Sequence, residues 1–141
     1  MVNLKGSDPL RNYMFNPTTE FLTKVQTIHR KDPRYKPEAY FFVLAALHFT
    51  VSHLPERRHI AGKELLAGIR IYGLDQFGPL ARQVFDYWGV RSTEDFGRIV
   101  FSLVDAKLLG KTEEDSLADF QDVYDFSEAF DPDPLFKLSD E

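Results

Sequence analysis

Hydrophobic positions recur at helical spacing along most of the chain. Asn16 and Pro17 predict a helix start, with Asn as the cap and Pro in the first turn. Phe21, Leu22, Val25 and Ile28 then mark one face, and Asp32-Pro33 predicts the stop, because a residue before proline resists the helical conformation. From Pro37 to Leu54 the apolar residues surround nearly the whole circumference, which predicts the buried central helix of the domain. A third helix is expected from about Ala61 to Phe77, with Leu65, Leu66, Ile69, Tyr72 and Leu74 inward. Gly78-Pro79 breaks it and opens a fourth, with Leu80, Ala81, Val84, Phe85 and Trp88 on one side and Gly89 as its stop.

Ser92-Thr93-Glu94-Asp95 reads as a capping box with Asp in the place of Glu. The fifth helix follows, striped by Phe96, Ile99, Val100, Leu103 and Val104. Beyond Leu108-Leu109 the helical period fades, and two short apolar runs separated by an acidic turn, the second at 120–126, suggest a β-hairpin. Helix, three-residue turn, helix and hairpin is the order of a winged helix-turn-helix. The expectation is a mainly α, five-helix single domain over 16–130, winged-helix-like over 79–126, with a loose arm at 1–15 and an acidic tail at 131–141.

Composition supports a packed domain. Of 141 residues, thirteen are Phe, six Tyr and one Trp, so the core must be largely aromatic. There is no cysteine, which excludes disulfides, thiolate catalysis and sulfur-ligated zinc. No stretch suggests a signal peptide or a membrane span, and the expectation is a cytoplasmic protein without a cofactor.

Charge is uneven. Residues 1–58 carry nine Lys or Arg against five Asp or Glu, and residues 112–141 carry one against eleven. Arg30, Lys31, Arg34 and Lys36, beside Tyr35, form a basic connection at 29–36 that could hold a phosphate backbone with a base stacked on the ring. Glu113, Glu114, Asp115 and Asp119 form an acidic segment where the wing should lie. Those acids would repel a DNA backbone, and the helix in the reading position carries Arg98 and Lys107 against Glu94, Asp95 and Asp105. A winged unit used for protein contact therefore fits better, with Phe101, lying beside the core stripe, as a candidate contact or a second-layer packing residue.

The four histidines, His29, His48, His53 and His59, fall in no short metal motif, and neither nucleotide-binding fingerprints nor a nucleophile elbow occur. The residues thus favour a non-enzymatic protein-interaction module. The alternatives are a nucleic-acid or ribosome-associated protein using 29–36, and a small enzyme whose site is assembled from distant positions.

Taken together, Arg30-Lys31-Asp32-Pro33-Arg34-Tyr35, Glu64-Leu65-Leu66, Gly68-Ile69-Arg70, Trp88-Gly89, Phe96-Gly97 with Ile99-Val100-Phe101, and Tyr124-Asp125-Phe126 resemble a known family. It is a set of short uncharacterised proteins described as restricted to planctomycetes, verrucomicrobia and relatives. The resemblance covers roughly residues 20–130 and implies a bacterial protein, cytoplasmic, with no known activity to carry over.

Overall fold

The computed structural model describes residues 3–4, 19–56 and 58–130. The expected helix start at Asn16-Pro17, most of the arm at 1–15, and the tail at 131–141 lie outside them.

The described chain is mainly helical. Helices α1 (Thr19–Lys31), α2 (Pro37–Ser52), α3 (Gly62–Phe77), α4 (Ala81–Tyr87) and α5 (Thr93–Asp105) follow the hydrophobic pattern, and a short α6 (Phe126–Ala129) completes them. α1 ends one residue before Asp32-Pro33. α2 carries Ala39, Tyr40, Phe42, Val43, Leu44, Ala46, Leu47 and Val51 buried, so it is the central element. At the start of α3, Glu64 reaches back to accept the Ala61 backbone N–H at 2.9 Å. α5 starts at the expected capping box: Ser92 Oγ accepts from the Asp95 N–H, and Asp95 Oδ2 accepts from the Ser92 N–H.

The core is a chain of ring contacts. Phe42 on α2 meets Tyr72 and Phe77 of α3, Phe85 and Trp88 of the α4 region, and Phe96 of α5, all with centroids between 5.1 and 6.3 Å. Phe85 continues the chain to Phe130 at 4.9 Å and Phe126 at 6.1 Å. Tilted and edge-to-face pairs of this kind add to the gain from burial alone.

The structure corrects the expected hairpin. Two strand segments occur among the described residues, β1 (Asn3–Leu4) and β2 (Leu109–Gly110), and they pair antiparallel with each other, Asn3 opposite Gly110. Residues 117–120 form a 3-10 turn, whose start is held by the Ser116 N–H donating to Asp119 at 2.9 Å. The physical reason lies in tertiary packing. Phe120 is drawn into the interior against Gly62 and Gly97, where a Cβ would stand 2.9 Å and 2.7 Å from it. Buried Thr93 then takes the neighbouring backbone groups, donating to the Phe120 carbonyl at 2.6 Å and accepting from the Val123 N–H at 3.3 Å. These are groups a strand ladder would need. Asp122, at φ 48, turns the chain, and Asp125 caps α6 through the Ser127 N–H at 2.7 Å.

Candidate functional site

The basic connection between α1 and α2 is built into the fold. Tyr35 is only 2% exposed, and its hydroxyl donates to Asp95 Oδ1 at 2.5 Å, sixty positions away. Asp95 also accepts from Arg98 Nη1 at 2.9 Å and from the Arg91 backbone at 2.9 Å, and Arg98 reaches on to Glu94 at 2.5 Å. Burial pushes the Tyr35 phenol above its ordinary pKa, and the hydrogen bond to the Asp95 carboxylate adds to the effect. The Lys36 N–H donates to the Trp88 carbonyl at 3.0 Å, and His29 Nδ1 lies 2.9 Å from the Tyr35 carbonyl. Gly89 makes the close approach workable. It sits at φ +90, and a Cβ there would stand 2.5 Å from the Arg34 carbonyl. The connection is thus clamped against the turn between α4 and α5.

Of its expected contacts, Arg30 and Lys31 are exposed at the α1 C-terminus, where the helix dipole favours cations. Arg34 lies exposed beside Asp32, with 4.0 Å between charged atoms. Tyr35 is turned inward, away from any base. Lys36 places its ammonium 5.1 Å from the centre of the Tyr87 ring.

In the acidic segment, Asp115 accepts the Thr112 N–H at 2.8 Å and Asp119 accepts the Ser116 N–H, so both hold turns. Glu113 and Glu114 are exposed. Among the described residues no ion pair joins these four acids to Arg30, Lys31, Arg34 or Lys36. Phe101 is half-buried and meets Phe120 edge-on at 6.1 Å, in the second-layer position.

One surface was not singled out by the sequence. On the short α4 and at its two ends, Ala81, Phe85 and Trp88 are buried, whereas Leu80, which ends the preceding 3-10 turn, and Tyr87 are 54% and 69% exposed, with half-buried Val84 between them in sequence. Positions 84 and 87 share one helical face, and Leu80 stands at the turn that leads into it. The hydrophobic pattern alone sets Leu80 and Val84 beside Ala81, Phe85 and Trp88 and does not mark Tyr87. Lys36 lies over the Tyr87 ring, and close by Arg91 pairs with Asp86 at 2.8 Å. The result is an apolar strip bordered by Lys36 and by the Arg91–Asp86 pair.

Among the described residues no group of three or more His, Cys, Asp or Glu could hold a metal ion, and no helix is long and apolar enough to cross a membrane. No family model, curated protein or solved structure matches this chain.

Proposed function

We propose that this chain is a protein-binding module that receives its partner on the outer face of α4. The observation that carries this reading is the pair Leu80 and Tyr87, both large, apolar and exposed, with Lys36 over the tyrosine ring. Tyrosine at the centre of a contact supplies much area at low entropic cost, and the cation over it favours acidic groups at the rim. The partner chemistry that fits is an aliphatic or aromatic segment covering Leu80, Val84 and Tyr87, flanked by a carboxylate that meets Lys36.

The test is affinity capture from the native cell with wild-type protein, Tyr87→Ala and Leu80→Ser, beside Leu117→Ser, which changes an exposed leucine on another element. The expected result is a protein captured by wild type and Leu117→Ser and lost from both α4 variants, with all four equally stable. Identical capture by every variant overturns the proposal.

The basic connection gives less support to a nucleic-acid reading, because the ring that would stack on a base is spent on Asp95. From the residues quoted above we also propose membership of the planctomycete and verrucomicrobial family, and with it work in a bacterial cytoplasm.

A further inference from the structure

The strip on α4 has an occupant of matching chemistry in the same chain. The described chain ends at Phe130, whose ring packs on Phe85 of α4 at 4.9 Å and would stand 3.5 Å from a Cβ on Gly73 of α3. Two exposed arginines flank this exit. Arg70 of α3 acts on Tyr124, whose ring lies 5.9 Å from that of Phe130; burial raises the pKa of the phenol, and the Arg70 charge opposes the rise. Arg82 of α4 acts on Asp125; two hydrogen bonds from Ser127 hold that carboxyl below its ordinary pKa, and the Arg82 charge adds to them. Neither arginine has an ion pair among the described residues. The residues that follow are Asp131, Pro132, Asp133 and Pro134, which bring two carboxylates to the exit. Proline disfavours the helical conformation in the residue before it, so this stretch suits an extended spacer.

Beyond the spacer the sequence matches the strip in order and in step. Alternate side chains of an extended chain share one side, about 7 Å apart. Phe136, Leu138 and Asp140 are such a set: aromatic, aliphatic, acidic. The strip presents Leu80 and Val84, then Tyr87, then the Lys36 ammonium 5.1 Å from the centre of the Tyr87 ring. Val84 and Tyr87 stand three apart on a helix, which sets their Cβ atoms about 5–6 Å apart, close to that step. The reach is also sufficient. Phe85 is buried and Tyr87 exposed, so the chain must pass about half way round α4, about 16–19 Å for a helix about 10–12 Å across. The six residues from Phe130 to Phe136 span up to about 20 Å.

We propose that this chain covers its own α4 strip, with residues 136–140 lying across it in extended form. Phe136 sits on Leu80 and Val84, Leu138 on Tyr87, and Asp140 at Lys36, while Asp131 and Asp133 meet Arg70 and Arg82. The segment is an internal competitor for the partner of α4, and in that role alone it rests on the function proposed above. Tethered at an effective concentration of about 1 mM, a segment with an intrinsic dissociation constant of about 0.1 mM is seated about nine-tenths of the time. Anything else that binds the strip then binds about tenfold more weakly.

The test uses the full chain. It has no cysteine, so Ser139→Cys, on the side of the segment turned away from the strip, carries a single nitroxide label. The expected result is paramagnetic broadening of ¹⁵N amide signals strongest at Lys36 and residues 84–88, and its loss when Phe136→Ser and Leu138→Ser are added. Broadening centred elsewhere, spread evenly, or unchanged by those two substitutions overturns the proposal. So does broadening carried between molecules in a mixture of spin-labelled ¹⁴N and unlabelled ¹⁵N protein, which would put the segment of a second copy on the strip. A synthetic peptide of residues 131–141 is the probe for competition. It should bind the Phe136→Ser, Leu138→Ser chain about tenfold more tightly than wild type, and equal binding overturns the internal competition. None of these readouts uses a captured partner. A seated segment, with partner capture unaffected by Tyr87→Ala, would refute the α4 partner reading and leave this contact standing.

Discussion

Replacing Tyr35 with Phe tests whether the basic connection is a structural joint. The ring would keep its buried place, so the perturbation is the single hydroxyl that donates to Asp95 at 2.5 Å. A hydrogen bond to an ionised group contributes about 1.5–3 kcal/mol. Two features place this one at the lower end. Asp95 keeps Arg98 and the Arg91 and Ser92 backbone as donors, so it is not orphaned, and its side chain is 14% exposed, so water can approach. A loss of about 1.5 kcal/mol follows, which at a urea dependence of about 2 kcal/mol per molar moves the unfolding midpoint down by about 0.75 M. The assay is equilibrium urea unfolding followed by Trp88 fluorescence and far-UV circular dichroism together. Asp95→Asn and the double variant complete a cycle, in which a coupling of about 1 kcal/mol isolates the pair. A midpoint unchanged within about 0.2 M, or additive losses, would show that the Tyr35–Asp95 bond does not hold the joint.

Three other outcomes follow from the packing and the ionisable groups. Gly68→Ala would place a Cβ 1.7 Å from Thr50 Oγ1 and 2.8 Å from Thr50 Cβ, where α2 and α3 touch, and rotating Thr50 relieves only the first contact. The clash outweighs the helix preference for alanine, giving a net loss of about 2 kcal/mol in a urea titration; a gain would contradict this packing. Thr93→Val keeps the shape but strands the Phe120 carbonyl and the Val123 N–H, so a loss of about 2 kcal/mol is expected by the same measurement, and a neutral result would show that the clip carries no weight. Tyr35, Tyr40, Tyr72 and Tyr124 are all held above the ordinary 10.0 chiefly by burial, Tyr40 at about 12. Each stays protonated in the folded state where the unfolded chain ionises, so the stability they supply is whole below about pH 10 and is lost as pH rises through the folded values. Urea midpoints should fall steadily above that pH, and a flat or rising profile would oppose it.

What the sequence made legible is what local chemistry decides. Proline at 33 and 37, glycine at 78 and 89, and the Ser92–Asp95 box mark helix ends, because caps and backbone preferences act within a few residues. The all-apolar α2 declared its central place for the same reason. The expected strand at 120–126 does not form, and its pattern alone does not decide the matter, because a short apolar run fits a strand or an irregular turn equally well. The deciding partners, Thr93, Gly62 and Gly97, lie 23 to 58 positions from Phe120. Tyr35 was read as a surface ring for a similar reason: its neighbours in sequence are charged, while its partner Asp95 lies sixty positions on. The strip on α4 was visible only in outline. Residues 80–88 carry two apolar sets, and which one turns outward depends on what the other elements cover.

The central claim is that Leu80 and Tyr87 carry a binding contact. Its most direct test is calorimetric titration of the captured partner into wild type and Tyr87→Ala. A tyrosine that anchors such a contact contributes at least about 2 kcal/mol, so Tyr87→Ala should bind about thirtyfold more weakly with folding unchanged. Equal affinity for the two proteins would contradict it.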